Sequence, residues 1–280
     1  MTNSETILEN VRRSIRERVN TDKILSTTWV LLPIIAILAF VIIGVAMFFA
    51  VVFAFGGFWE NGSPWNGDFP WNGDFPWGGD VPFIGPLFGV MGLFLVIPVV
   101  FGLLFLYLLY LLIQRRNAHF RRQQNFTEDT VSLLNSLAKT KRKNIEVQTA
   151  SIERTLREMR ADEGEQSGVL WVILTLVFQP VLLYVAYFLG RDFYRHERRE
   201  DGVWEDITRA MDTLGIPVSV RRDRPMPERS FVLYFVLSIV TLGLFTIYWL
   251  YTLIEDPNLH FRNHIHIEDD VLAALSGAAS

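Results

Sequence analysis

Three histidines stand in one register along the chain. His119, His196 and His260 each lie nine residues after the second member of a Tyr-x-x-Tyr pair, Tyr107/Tyr110, Tyr184/Tyr187 and Tyr248/Tyr251. An acidic pair follows each: Glu128-Asp129, Glu205-Asp206 and Glu268-Asp269. Imidazoles and carboxylates are the side chains that ligate transition metals and move protons near neutral pH. Within each block, however, His and Glu are eight or nine residues apart. That is more than two helical turns, so one helix cannot offer both to one ion. A site would need several blocks brought together. In the tail, His264 and His266 flank Ile265 close to Glu268 and Asp270, a local grouping suited to weak transition-metal binding. The plainer role is structural. His and Arg snorkel at a lipid headgroup layer, and each acidic pair supplies charge to the N-terminus of a following helix. We expect that role, with no metal, no cofactor and no catalytic residue.

Other chemistry is missing from the sequence. The 280 residues contain no cysteine, which excludes disulfides, thiolate nucleophiles and cysteine metal sites. There is no Gly-rich phosphate loop ending in Lys-Ser/Thr, no His-Glu-x-x-His and no Gly-x-Ser-x-Gly. The net charge of −4 gives no general attraction to nucleic acid, and no nucleic-acid partner is expected. The segment RHERRED, Arg195–Asp201, is charged but balanced and reads as a solvated or lipid-facing helix.

The elements that must position these residues are apolar. Four stretches carry no charged residue: Ile24–Trp59, Val81–Gln114, Gln166–Gly190 and Ser230–Ile254. A bilayer core about 30 Å thick needs roughly 20 apolar helical residues. All four are membrane candidates, and the first is too long for a signal-peptide core of about 7–15 residues, so it is expected to be retained. None holds an ionisable Asp, Glu, Lys or Arg, which argues against a proton-driven carrier. Upstream of the Tyr pairs lie points that weaken a helix: Pro98 and Gly102, Gln179-Pro180, and Thr241-Leu242-Gly243.

Polar segments complete the layout. In residues 1–23, Ile7, Val11, Ile15 and Val19 recur every four residues among Arg12, Arg13, Arg16 and Arg18, a basic amphipathic helix for a lipid surface or for the protein's own polar part. Residues 59–82 are four hexads, each opening with Trp and closing with Pro. They form turns with rings suited to a membrane interface, or a ligand surface in which Asp68, Asp74 and Asp80 stand beside the rings. Residues 144–165 hold a polar helix with a narrow stripe of Ile152, Leu156 and Met159.

The stretch Thr241, Leu242, Gly243, Phe245, Tyr248, Trp249 and Tyr251 resembles an uncharacterised family of small prokaryotic membrane domains, whose motif is a Thr-Leu-Gly-aromatic turn followed by Tyr-Trp-x-Tyr. The resemblance covers about a quarter of the chain. It implies a membrane domain and supplies no catalytic residue.

The expected fold is an all-α integral membrane protein. Two long transmembrane helices are followed by two shorter re-entrant hairpin segments, in three degenerate repeats each followed by cytoplasmic amphipathic helices. Residues 24–143 form the first repeat, 166–229 the second and 230–280 the third. Lys and Arg are absent from residues 57–81 but number five in 1–23 and eleven in 114–167, which assigns the hexads to the extracytoplasmic side and the basic segments to the cytoplasm of a cell membrane. The expected function is non-enzymatic: a multi-pass scaffold or accessory subunit acting through assembly, with lipid and either its own copies or another membrane protein as partners. A channel or transporter component is the alternative.

Overall fold

A computed structural model of the protein describes residues 3–60 and 84–279, and the hexads fall almost wholly outside them. The described residues are helical, with no strand among them. The helices are α1 (Asn3–Thr21), α2 (Leu31–Glu60), α3 (Ile84–Lys141), α4 (Glu146–Asp162), α5 (Gly168–Val177), α6 (Val181–Thr213), α7 (Phe231–Val240) and α8 (Phe245–Ala279). The chain divides into two units, residues Thr28–Leu106 and residues Met1–Thr27 with Tyr107–Ser280.

In the first of these units the described helices are largely apolar. Two helices are long and apolar enough to cross a membrane, within Thr27–Phe49 and Met91–Lys141. Ile42, Phe48, Leu95 and Val99 are all more than half exposed, and Phe40 and Phe94 meet with ring centroids 4.8 Å apart. A helix that is hydrophobic all round yet uncovered by protein suits a lipid surround. Pro98 lies inside α3 without ending it. The weak point expected there is therefore bridged, as neighbouring turns allow in apolar helices.

The second unit is a polar bundle with a conventional core. Leu8, Val11 and Ile15 of α1 are buried with Leu133, Leu134 and Leu137 of α3, Ile152, Leu156 and Met159 of α4, Ile207 and Met211 of α6, and Val271 and Leu275 of α8. Helix α1 thus packs on its own protein. Val19 is 83% exposed, because a strict four-residue spacing drifts about 40° per step around a 3.6-residue helix and carries Val19 off the buried face. The segments after the acidic pairs are not separate helices. They are the last turns of α3, α6 and α8, and the acidic residues pair with side chains instead of capping. Asp129 accepts from Ser14 at 3.4 Å and Asp269 pairs with Arg18 at 3.1 Å.

Helices α5 and α6 fold back on one another, as do α7 and α8. Trp171 meets Phe188 at 5.4 Å across the first turn, and Tyr234 meets Phe245 at 5.1 Å and Trp249 at 5.8 Å across the second. Both short helices start alike, with Ser167 accepting from Leu170 N–H and Ser230 from Leu233 N–H. The second turn uses left-handed backbone at Leu242 (φ 51°) and Gly243 (φ 90°). Glycine adopts that conformation freely, whereas Leu242 is held there with its side chain 94% exposed.

Candidate functional site

Where the long helices of the polar bundle leave their apolar core, their side chains change to histidine and carboxylate. Helix α3 brings His119, α6 brings His196, Glu197 and Glu200, and α8 brings His260, His264 and Glu268. Asp22 enters just after α1, Glu163 is the C-cap of α4, and Arg222 comes from the α6–α7 connection. All four histidines are 0–1% exposed. The histidines therefore do not reach for a headgroup layer. Burial rules out snorkelling, because the ring must find its polar partners inside the bundle.

Those partners follow one pattern. His119 Nδ1 is 3.1 Å from Asp22 Oδ1, His260 Nδ1 is 2.8 Å from Glu197 Oε2, and His264 Nδ1 is 3.1 Å from Glu268 Oε1. The Nε2 atoms of the same three rings converge. His119 Nε2 lies 3.0 Å from His260 Nε2, His260 Nε2 lies 3.5 Å from Glu200 Oε2, and Glu200 Oε2 lies 2.9 Å from His264 Nε2. One ligand atom from each of His119, Glu200, His260 and His264 falls within 4.8 Å of all the others. His196 stands beside them with a carboxylate at both nitrogens, Glu163 at 2.8 Å and Glu200 Oε1 at 3.0 Å. The His196–Glu200 approach, like that of His119 to Asp22, is close but not aligned as a hydrogen bond.

Arginines balance the outer carboxylates. Arg122 bridges Asp22 at 2.7 Å and Glu268 at 2.8 Å, and Arg222 pairs with Glu197 at 2.8 Å and Glu200 at 3.1 Å. Burial alone would raise the Glu200 carboxyl, but His264, His196 and His260 hold it well below its ordinary range. Burial would lower His196, yet Glu200 and Glu163 outweigh it and lift the ring to about 9. Burial, opposed by Asp22, leaves His119 at about 4, and burial with the neighbouring His264 takes His260 well below its usual value. One side of the centre is closed by Phe120, Phe193 and Phe261, with Phe120 stacked on His196 at 4.1 Å.

The sequence singled out His119, His196, His260 and Glu268, and the structure brings all four together. Asp269 lies at the edge, on Arg18. Glu128 pairs with Arg160, Glu205 and Asp206 pair with Arg209, and none of these enters the centre. The aromatics Tyr107, Tyr184 and Tyr248 are exposed, Tyr110 and Tyr187 are half-buried, Tyr251 is 39% exposed and Trp249 is buried. Gln179-Pro180 and Gly243 lie at the two hairpin turns. Glu200, Glu197, Asp22, Glu163, Arg122 and Arg222 were missed. The segment Arg195–Asp201 is not a solvated helix throughout: Arg195 and Arg198 are exposed, while His196, Glu197 and Glu200 face the centre. The available signal was the residue four positions after each aligned histidine. It reads Gln123, Glu200 and His264, one turn on along the same face, and all three are buried.

No curated protein and no solved structure matches the chain. Residues 229–275, which hold α7, most of α8 and with them His260, His264 and Glu268, match the family described as a domain of unknown function (DUF4234).

Proposed function

We propose that the protein is a multi-pass component of a cell membrane that acts by assembly, as a scaffold or accessory subunit without catalysis of its own. One observation carries the reading: the hairpins α5–α6 and α7–α8 present apolar surface that the described residues do not cover. Leu176, Val177, Phe178, Val232, Val240 and Leu244 are each at least 59% exposed around the two hairpins. Soluble chains rarely leave such contiguous apolar surface open, so lipid or another membrane subunit covers it. In this reading the hairpins re-enter the membrane, the aligned blocks are degenerate repeats, and the tyrosines mark the interface. The absence of charge from the apolar runs and the closed polar centre favour assembly over a conduction path.

The test is the mass of the protein part of particles extracted in a mild detergent. A stable homo-oligomer or a stoichiometric membrane partner supports assembly. A single chain that conducts ions or solute in liposomes, with flux lost on disrupting Gln179-Pro180 or Gly243, would make it a channel or transporter component instead.

A further inference from the structure

We propose that His119, His260, His264 and Glu200 bind one divalent transition-metal ion of the zinc class, as a structural centre joining α3, α6 and α8. The argument begins with protons. Each of the three rings turns Nδ1 toward a carboxylate oxygen at 2.8–3.1 Å. That contact is favourable when Nδ1 carries the hydrogen, which leaves the lone pair of a neutral ring on Nε2; His264, whose Nε2 also lies 2.9 Å from Glu200, gives up an Nε2 hydrogen to become a ligand. Arg222 Nη1, at 3.4 Å from His260 Nδ1, is more distant than Glu197 and does not reverse the choice. Three Nε2 lone pairs and Glu200 Oε2, which also accepts from Arg222 Nη2 at 3.1 Å, then lie within 4.8 Å of one another, three of their separations being 2.9–3.5 Å. Four inward lone pairs in a buried space repel, unless a cation sits among them.

The dimensions suit a metal. Four ligands at the usual zinc distances of about 2.0–2.2 Å form a tetrahedron with edges of about 3.3–3.6 Å. Of the six edges, one is 3.5 Å, within that range, two are 3.0 and 2.9 Å, a little short of it, and all the ligand atoms lie within 4.8 Å of one another. The outer groups suit one as well. Ligating histidines characteristically donate the other ring N–H to a carboxylate, which fixes the tautomer and strengthens the ligand. Glu197 and Glu268 accept from His260 and His264 in that way, while Asp22 lies 3.1 Å from His119 Nδ1 and His196 lies 3.0 Å from the second oxygen of Glu200, both close but not aligned as hydrogen bonds. Three imidazoles with one carboxylate select a borderline ion over calcium or magnesium, which take all-oxygen sets. The four ligands are at most 2% exposed, so no coordination position opens to a substrate, as in structural and not catalytic sites. The alternative occupants are protons, which would convert some of the rings to imidazolium.

The experiment uses the full chain, purified in detergent from cells grown with trace metals and then desalted. Elemental analysis is expected to find about one zinc-class ion per chain. That ion should be lost in His264→Ala and kept in His266→Ala, whose ring is exposed. Cobalt(II) exchanged into the wild type should give the intense visible bands of a four-coordinate site. A folded wild-type chain that holds no metal, shows no such bands with cobalt(II) and melts no higher with zinc(II) overturns the proposal, and the centre then holds protons. A folded His264→Ala chain that keeps its full equivalent overturns it too. Should His264→Ala fail to fold, the wild-type metal content and cobalt spectrum decide the question by themselves.

Discussion

Two adjacent arginines on α3 show what a residue is worth in this molecule. The side chain of Arg121 is 65% exposed and meets an equally open Glu165 at 2.7 Å. Arg122 is buried between Asp22 and Glu268. An exposed pair contributes little, because water and salt screen it. Removing one partner of a buried network strands the others in a medium that cannot solvate them. Arg122→Ala is therefore expected to lower unfolding stability by about 3–5 kcal/mol, and Arg121→Ala by less than about 1 kcal/mol. Chemical denaturation of the two variants in one detergent measures both. Equal effects would mean that Asp22 and Glu268 find other partners once the guanidinium is gone. The same contrast explains why the centre was only half legible in the sequence. The shared register drew attention to His119, His196 and His260. Their carboxylate partners come from three places in the chain, Asp22, Glu163 and the Glu197–Glu200 turn of α6, and nothing local to Asp22 or Glu163 marks either as facing a histidine. Glu200 was hidden for a different reason: its exposed neighbours Arg198 and Asp201 gave the segment a surface composition, although Glu200 lies one turn beyond His196 on the buried face.

At the scale of elements, breaks in the helices were read with mixed success because proline acts through its surroundings. Pro180 and Gly243 mark turns that let a chain reverse, and the helices do end there. Pro98 and Pro257 lie inside α3 and α8. Pro257 has no N–H to give the Leu253 carbonyl, so a helix at that point leaves an acceptor bare. Arg115 fills the gap, with its Nη2 donating to Leu253 O at 2.6 Å and Ile254 O at 3.2 Å, and its Nη1 donating to Asn258 Oδ1 at 3.1 Å. A guanidinium nearly 140 residues away in the chain is what keeps α8 continuous, and sequence spacing alone could not reveal it. Arg115→Met is expected to cost about 1–3 kcal/mol in the wild type, the penalty for unsatisfied buried acceptors. In a Pro257→Ala background the restored N–H should satisfy Leu253, and the cost should fall by about 1 kcal/mol. A double-mutant cycle read by thermal melting measures the difference. If Arg115→Met costs the same in both backgrounds, Arg115 is not standing in for the missing donor. The acidic pairs were read as helix starts because nothing in the sequence shows that α3, α6 and α8 continue past them. The sideways partners of Asp129 and Asp269 are on α1, far off in sequence.

For the whole molecule, the lengths of the helices bear on how the chain meets a membrane. Helices α5 and α7 have 10 residues each. At 1.5 Å per residue each reaches about 15 Å, half of a bilayer core of about 30 Å. A straight crossing would need the partner helix to continue in the same direction, whereas α5 and α6, and α7 and α8, turn back on themselves. Each pair can then enter and leave on one side. Charge favours the same arrangement. Residues 191–229 hold nine arginines, and a full crossing by the segment before them would place all nine outside, against the usual bias of Lys and Arg toward the cytoplasm. If both pairs re-entered, every Lys and Arg would lie on the cytoplasmic side and the hexads, which hold none, outside. The lack of native cysteine makes this measurable with single substitutions. Ser219 is exposed in the α6–α7 connection, and Ser63 lies in the hexads. A membrane-impermeant maleimide added to intact cells is expected to label Ser63→Cys and to spare Ser219→Cys until the membrane is opened. Labelling of both on intact cells would mean that the segment from 166 to 190 crosses completely. The hairpins would then have to open, and the ring contacts that close Trp171 on Phe188 would be broken in the membrane.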